Sequence, residues 1–278
     1  MALLRLGCLM WFALIATCVD AAGYDDFTRG LAAINRGDSD SAIVLFSSAL
    51  QAGDLSQGIE PLAYYNRARA YLNKEECTQA VADLNAALQL RPSYTEAYMQ
   101  RGRAHRCAGN YGEAIADYTQ VIEIKPIGDA YWQRALARWN EGDFDGTAAD
   151  SWSTALFAPK WPYPILWFGL AKLRAGKLDE RDLEQKAIFF DLSAWPGTIF
   201  ALYEGNATPD EILRLAHNGD PRGSRDRVCE ADFYVGEWWL AKKNTDAARP
   251  LLEEASIGCR HDFIEYSAAN AELRRLHG

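Results

Sequence analysis

PLAYYNRARAYLNKEECTQAVADLNAALQLRPSY, residues 61–94, aligns without a gap over TEAYMQRGRAHRCAGNYGEAIADYTQVIEIKPIG, residues 95–128. Tyr64 falls on Tyr98, Ala68 on Gly102, Ala80 on Ala114, Ala87 on Val121 and Pro92 on Pro126, so the period is 34 residues. A third copy, from Gly128 to about Trp161, keeps Tyr131, Ala135, Gly142 and Pro159, with a one-residue slip near Trp152. An earlier copy from Gly23 keeps Gly30, Gly37, Ala42, Phe46 and Ala49, then runs into a longer loop, Asp54 to Glu60. A fixed period of this size marks one supersecondary unit repeated along the chain. Small residues at repeat positions 8 and 20 let two antiparallel helices approach closely, large ones at 4, 11 and 24 fill the space around them, and proline ends the second helix. A single hairpin leaves one face uncovered, which its neighbour must bury. The expected fold class is therefore all-α, a right-handed α-solenoid whose groove is lined by first helices.

Arg67, Arg101 and Arg134 all stand at position 7, and each is followed 16 residues later by Asp83, Asp117 or Asp150. Across a hairpin turning near position 15 those sites face one another, which predicts one Arg–Asp pair per repeat. An anion-binding arginine ladder is the alternative, weakened by the matched carboxylates. Arg29 has Leu45 at the matching site, so the first copy departs.

Beyond Pro159 the period loosens. Helices are expected over Ile165 to Ala175, Asp179 to Phe190 and Trp195 to Tyr203. Another begins at Thr208-Pro209-Asp210-Glu211, which combines a capping Thr, Pro at the first helical position and Glu three residues after the cap. Asp220 to Arg227 reads as a polar linker. A hairpin then follows, Arg227 to Lys242 with Gly236 at the close-packing position and Thr245 to Ile257, and a last helix from His261 to Leu276. Trp238 and Trp239, adjacent on one helix, should divide into one core ring and one that is half exposed or covered by a partner subunit. The organisation expected is a signal peptide over 1–21, four repeats over 22–160, a degenerate repeat with connecting helices over 161–222, and a repeat-like hairpin with a capping helix over 223–278.

Arg5 precedes an apolar stretch from Leu6 to Val19, which suits a secretory signal and is short for a membrane span. Val19 and Ala21 fit cleavage after Ala21, giving an exported, soluble, periplasmic protein. The alternative is a lipid anchor at Cys18, against which Thr17 stands where Gly or Ala is usual. A membrane partner is expected only with that anchor. Export leaves Cys77, Cys107, Cys229 and Cys259. Each sequential pair spans 30 positions and brings together ends of antiparallel helices, which favours Cys77–Cys107 and Cys229–Cys259 over four reduced thiols.

Composition narrows function. The 278 residues carry 38 acidic against 29 basic side chains, a net charge of −9, which leaves no basic surplus for a nucleic-acid partner. His105, His217, His261 and His277 belong to no metalloprotease motif, and neither a Walker loop nor a nucleophile elbow occurs. No catalytic residue, metal or cofactor is expected. The many Glu and Asp residues are expected on helix surfaces.

The repeat pattern resembles the tetratricopeptide repeat. In that fold the groove rows contain Tyr65, Asn66, Arg69, Met99, Gln100, Arg103, Arg106, Trp132, Gln133 and Trp139, a mixture suited to gripping an extended peptide or partner helix. Trp139 packing the wall between repeats is the alternative.

Leu202-Tyr203-Glu204-Gly205-Asn206, Glu230-Ala231-Asp232-Phe233-Tyr234-Val235-Gly236 and Asp262-Phe263-Ile264-Glu265-Tyr266, in that order and spacing, are similar to the bacterial NlpI-like lipoprotein family of tetratricopeptide repeat proteins. The similarity extends over most of the mature chain. It implies a non-enzymatic periplasmic adaptor that forms a homodimer and docks a carboxy-terminal processing protease and cell-wall hydrolases. A structural subunit of an envelope assembly is the alternative.

Overall fold

The structure, a computed structural model, describes residues 22–188, 190–218 and 221–277. Residues 1–21, where the signal peptide or the alternative anchor at Cys18 is expected, lie outside them. The described residues contain helices and turns, with no strand among them, and none of their helices is long and apolar enough to cross a membrane. They divide into two compact units that meet at Ile124/Lys125.

The first unit contains α1 (Ala22–Asn35), α2 (Ser39–Ala52), α3 (Glu60–Asn73), α4 (Cys77–Leu90), α5 (Thr95–Cys107) and α6 (Tyr111–Ile124). They pair α1 with α2, α3 with α4 and α5 with α6, and α2 and α4 also pack on the first helix that follows, α3 and α5. Asp38 caps α2 by accepting from the Ser41 amide. Turns between paired helices use a left-handed residue, Gly37 and Gly109 in two cases and Glu75 at φ 59° in the third. The close approach within a hairpin is strictest at Gly102, where an added Cβ would sit 2.6 Å from Tyr118 Cε1. Because Tyr118 is fully buried, Gly102→Ala is expected to cost about 1–3 kcal/mol through overpacking, read as a lower thermal midpoint; an unchanged midpoint would show that α5 and α6 pack more loosely.

The predicted Arg–Asp pairs are present, and all are bidentate. Arg67 donates to Asp83 at 2.8 and 2.6 Å, and Arg101 to Asp117 at 2.9 and 2.6 Å. The remaining arm of each reaches back to the preceding hairpin, to Ser47 Oγ at 2.9 Å and Asn85 Oδ1 at 2.8 Å. One guanidinium thus joins three helices, with a tyrosine ring beneath it: Tyr64 under Arg67 and Tyr98 under Arg101. Cys77 at the start of α4 is joined to Cys107 at the end of α5, with Cα atoms 5.9 Å apart.

The second unit contains α7 (Gly128–Glu141), α8 (Phe144–Phe157), α9 (Tyr163–Arg174), α10 (Glu180–Ala187), α11 (Thr198–Tyr203), α12 (Pro209–His217), α13 (Pro221–Ala241), α14 (Thr245–Gly258) and α15 (Ile264–His277). Arg134 grips Asp150 at 2.8 and 2.8 Å, and Arg138 adds a third bond at 2.7 Å. The capping box at Thr208 and Glu211 forms as read. Gly236 brings α13 against Leu252 of α14, and Cys229 is joined to Cys259. Trp139, Trp167, Phe200, Phe233 and Tyr234 form the heart of the core.

Three expectations are corrected in this unit. Residues 221–227 are helical, so α13 starts six residues earlier than Arg227; proline suits a first helical position because its fixed φ is already helical. Trp238 and Trp239 are both half-buried, their rings edge-on at 4.7 Å near the end of α13. Several acidic residues are interior: Glu230, Glu237, Glu265 and Glu272 are 6%, 0%, 2% and 1% exposed. Their burial is offset by donors from other helices. Tyr163 Oη and Trp195 Nε1 donate to Glu230 at 2.8 and 2.6 Å, and Trp167 Nε1 donates to Tyr234 Oη, which donates to Glu265 at 2.8 Å. Arg174 bonds Glu237 and Glu272, and Arg275 bonds Glu272 and the Trp139 and Asn140 carbonyls.

Candidate functional site

The structure brings together four of the residues expected at a binding face, all on the adjacent first helices α3 and α5. Tyr65, Arg69, Gln100 and Arg103 are half-buried. The Arg69 guanidinium lies 5.9 Å from the centre of the Tyr65 ring and donates to Asn66 Oδ1 at 3.0 Å. Asn66 is itself fixed by donating to the Leu62 carbonyl at 2.8 Å. Gln100 hydrogen-bonds Tyr65, and Arg103 is near enough for its charge to act on the same phenol.

Sequence reasoning missed two members of this cluster. Tyr94 packs its ring 5.0 Å from that of Tyr65, and Arg91 lies 5.1 Å over Tyr94 while donating to the Gly58 carbonyl at 3.0 Å. The result is a continuous Arg69–Tyr65–Tyr94–Arg91 row. Burial raises both phenols, Tyr94 to about 12, so both stay neutral hydrogen-bonding groups at neutral pH. Among the described residues, neither Arg69 nor Arg91 forms an ion pair with a carboxylate, in contrast to Arg67 and Arg101 one helical face away. Such a face offers planar cations, rigid rings and amides, which suit polypeptide carboxylates and carbonyls.

Other expected groove residues lie elsewhere. Met99 is 8% exposed, Arg106 is half-buried farther along α5, and Gln133 donates to Asp129 at 3.2 Å. Trp132 and Trp139 are corrected as surface anchors. Trp132 is covered by Trp161 and Trp167, at 4.9 and 5.9 Å, and Trp139 is enclosed by Phe144, Trp167 and Phe233. The packing alternative for Trp139 is the one the structure adopts.

The second unit has an apolar cavity of about 330 Å³ lined by Trp152, Leu156, Pro159, Ile165 and Phe190. Lys186 closes one side with its ammonium over Trp152, paired to Asp182. The histidines are dispersed. His105 is half-buried, with burial lowering its pKa, His217 bonds the Leu213 carbonyl, and His261 rests on Tyr266. No group of three His, Cys, Asp or Glu side chains among the described residues could hold a metal.

A family model, the tetratricopeptide repeat, matches residues 27–94 and again 65–129. A tetratricopeptide repeat protein from Parabacteroides merdae superposes with a TM-score of 0.61 at 12% identity, covering 91% of this chain and 99% of that one. PilF of Pseudomonas aeruginosa gives 0.52 at 13% identity with the same coverage. MamA of Desulfovibrio magneticus RS-1 gives 0.54 at 15% identity, over 60% of this chain and 92% of that one. These likenesses establish the fold, an all-α solenoid of tetratricopeptide-repeat helix pairs.

Proposed function

We propose that this protein is a non-enzymatic, exported scaffold that binds polypeptide segments through the α3/α5 face. The carrying observation is the half-exposed Tyr65, Arg69, Gln100 and Arg103 cluster, ordered by its own hydrogen bonds and by the tilted packing of Tyr65 on Tyr94. A groove of this kind raises the local concentration of one bound protein near another. The NlpI-like resemblance supplies the partner class, a carboxy-terminal processing protease or cell-wall hydrolases, and a homodimeric assembly. Periplasmic export rests on the sequence pattern of residues 1–21.

Affinity capture from a periplasmic extract tests this reading. The full mature chain should retain proteases or hydrolases that exchange with free bait, and Tyr65→Ala combined with Arg103→Ala should lose most of that capture while keeping the helical circular dichroism. Undiminished capture by the double variant would move the site off this face. A single stoichiometric complex that resists salt and exchange would instead identify a structural subunit of an envelope assembly.

A further inference from the structure

The Arg69–Tyr65–Tyr94–Arg91 row carries more than a general affinity for polypeptide, and we infer that its ligand is an acidic extended segment of a protein, rich in Asp and Glu, whose carboxylates pair with Arg69 and Arg91 while its backbone crosses Tyr65, against which the buried Tyr94 ring packs. This inference rests on the α3/α5 face being the binding site. Two observations point to the acidic class.

First, the chain is acidic overall, at −9, and it neutralises the arginines that build its scaffold: Arg67, Arg101 and Arg134 each face a buried aspartate. Arg69 and Arg91 are exceptions. They donate to the Asn66 side-chain oxygen and the Gly58 carbonyl, both neutral. Each therefore keeps a full positive charge and unused donors toward an incoming carboxylate. Glu96 is near enough for its charge to raise Tyr65 and Tyr94, and Arg69 opposes it at both phenols, with Arg91 at Tyr94.

Second, the cations are held in place before any ligand arrives. Each guanidinium lies over a tyrosine ring, at 5.9 and 5.1 Å, and the two rings lean on each other at 5.0 Å. Ordering two long side chains is a main cost of forming exposed ion pairs, and the stacked row removes much of it. Arg and Tyr side by side would also suit single-stranded nucleic acid, but a net charge of −9 leaves no basic surplus for a phosphate backbone. Carboxylates spaced along a peptide need only these two positions.

The test uses the full mature chain and two synthetic peptides labelled with the same fluorophore, one of Asp-Glu-Ser repeats bearing a single Tyr and its isostere with Asn and Gln replacing the acids. Anisotropy titration should show the acidic peptide binding about tenfold or more tightly than the amide peptide, with the difference shrinking as salt rises. Arg69→Gln with Arg91→Gln should abolish that preference without loss of helicity. Equal binding of both peptides, still sensitive to Tyr65→Ala, would overturn the acidic class and leave the binding face standing. Failure of the acidic peptide to bind, or tighter binding of an oligothymidylate competitor that displaces it, would overturn the inference itself.

Discussion

Asp150→Ala is expected to destabilise the second unit by about 3–5 kcal/mol, or a drop of roughly 10 °C in its thermal midpoint. Asp150 is 2% exposed and accepts three hydrogen bonds, two from Arg134 and one from Arg138. Alanine removes the carboxylate but leaves both guanidinium groups in their partly buried sites, where water replaces it poorly. The loss is therefore set by two stranded charges more than by one missing contact. Arg29→Ala is the internal control. Its pair with Asp26 is similarly short, at 2.9 Å, but its side chain is 61% exposed, so its loss should change stability by less than about 1 kcal/mol. Equal effects of the two variants in differential scanning calorimetry would show that the ladder is ornamental.

The second large effect is a fall in stability as pH rises from about 4.5 to 8, traceable to Glu265. This carboxyl is 2% exposed, faces Tyr234 and Glu230 from α13, and forms no ion pair among the described residues; burial first, then the Glu230 charge, raises its pKa from 4.5 to about 8. Between those values the folded protein keeps a proton that the unfolded chain has released. Its contribution is whole below pH 4.5, declines by about 1.4 kcal/mol per pH unit, and is gone above pH 8, a total on the order of 5 kcal/mol. Glu265→Gln keeps an oxygen for Tyr234 and cannot ionise, so the variant should be the more stable form at pH 9 and lose its advantage near pH 4. Parallel stability–pH curves for the two proteins would remove Glu265 from this account.

Much of this molecule was readable because the repeat writes the same geometry several times. The interval of 16 residues between arginine and aspartate located three ion pairs, and Gly102 and Gly236 marked close helix approaches. The proposed binding face was half legible. Tyr65 and Arg103 follow from repeat position, whereas Arg91 and Tyr94 come from the turn joining α4 to α5, whose direction depends on how the hairpins stack. A signal was present in Arg91-Pro92-Ser93-Tyr94, an arginine and an aromatic ring around the proline that ends the repeat. Trp132 and Trp139 misled because groove positions are exposed only where nothing lies over them, and here α9 and Trp161 do. The buried glutamates were hidden for a related reason. Glutamate near others on a helix looks like a solvated face until Tyr163, Trp195, Arg174 and Arg275 arrive from distant sequence to satisfy it. Two of them, Glu230 and Glu265, lie in segments that resemble the NlpI-like family, where they serve packing.

Site-specific photocrosslinking in living cells reaches the central proposal most directly. A photoreactive amino acid placed at Gln100, on the α3/α5 face, is expected to yield crosslinks to another polypeptide, while the same group at Val44, 67% exposed on α2, yields none. Crosslinks from Val44 with none from Gln100 would contradict the assignment of this face as the place where the scaffold meets its partners.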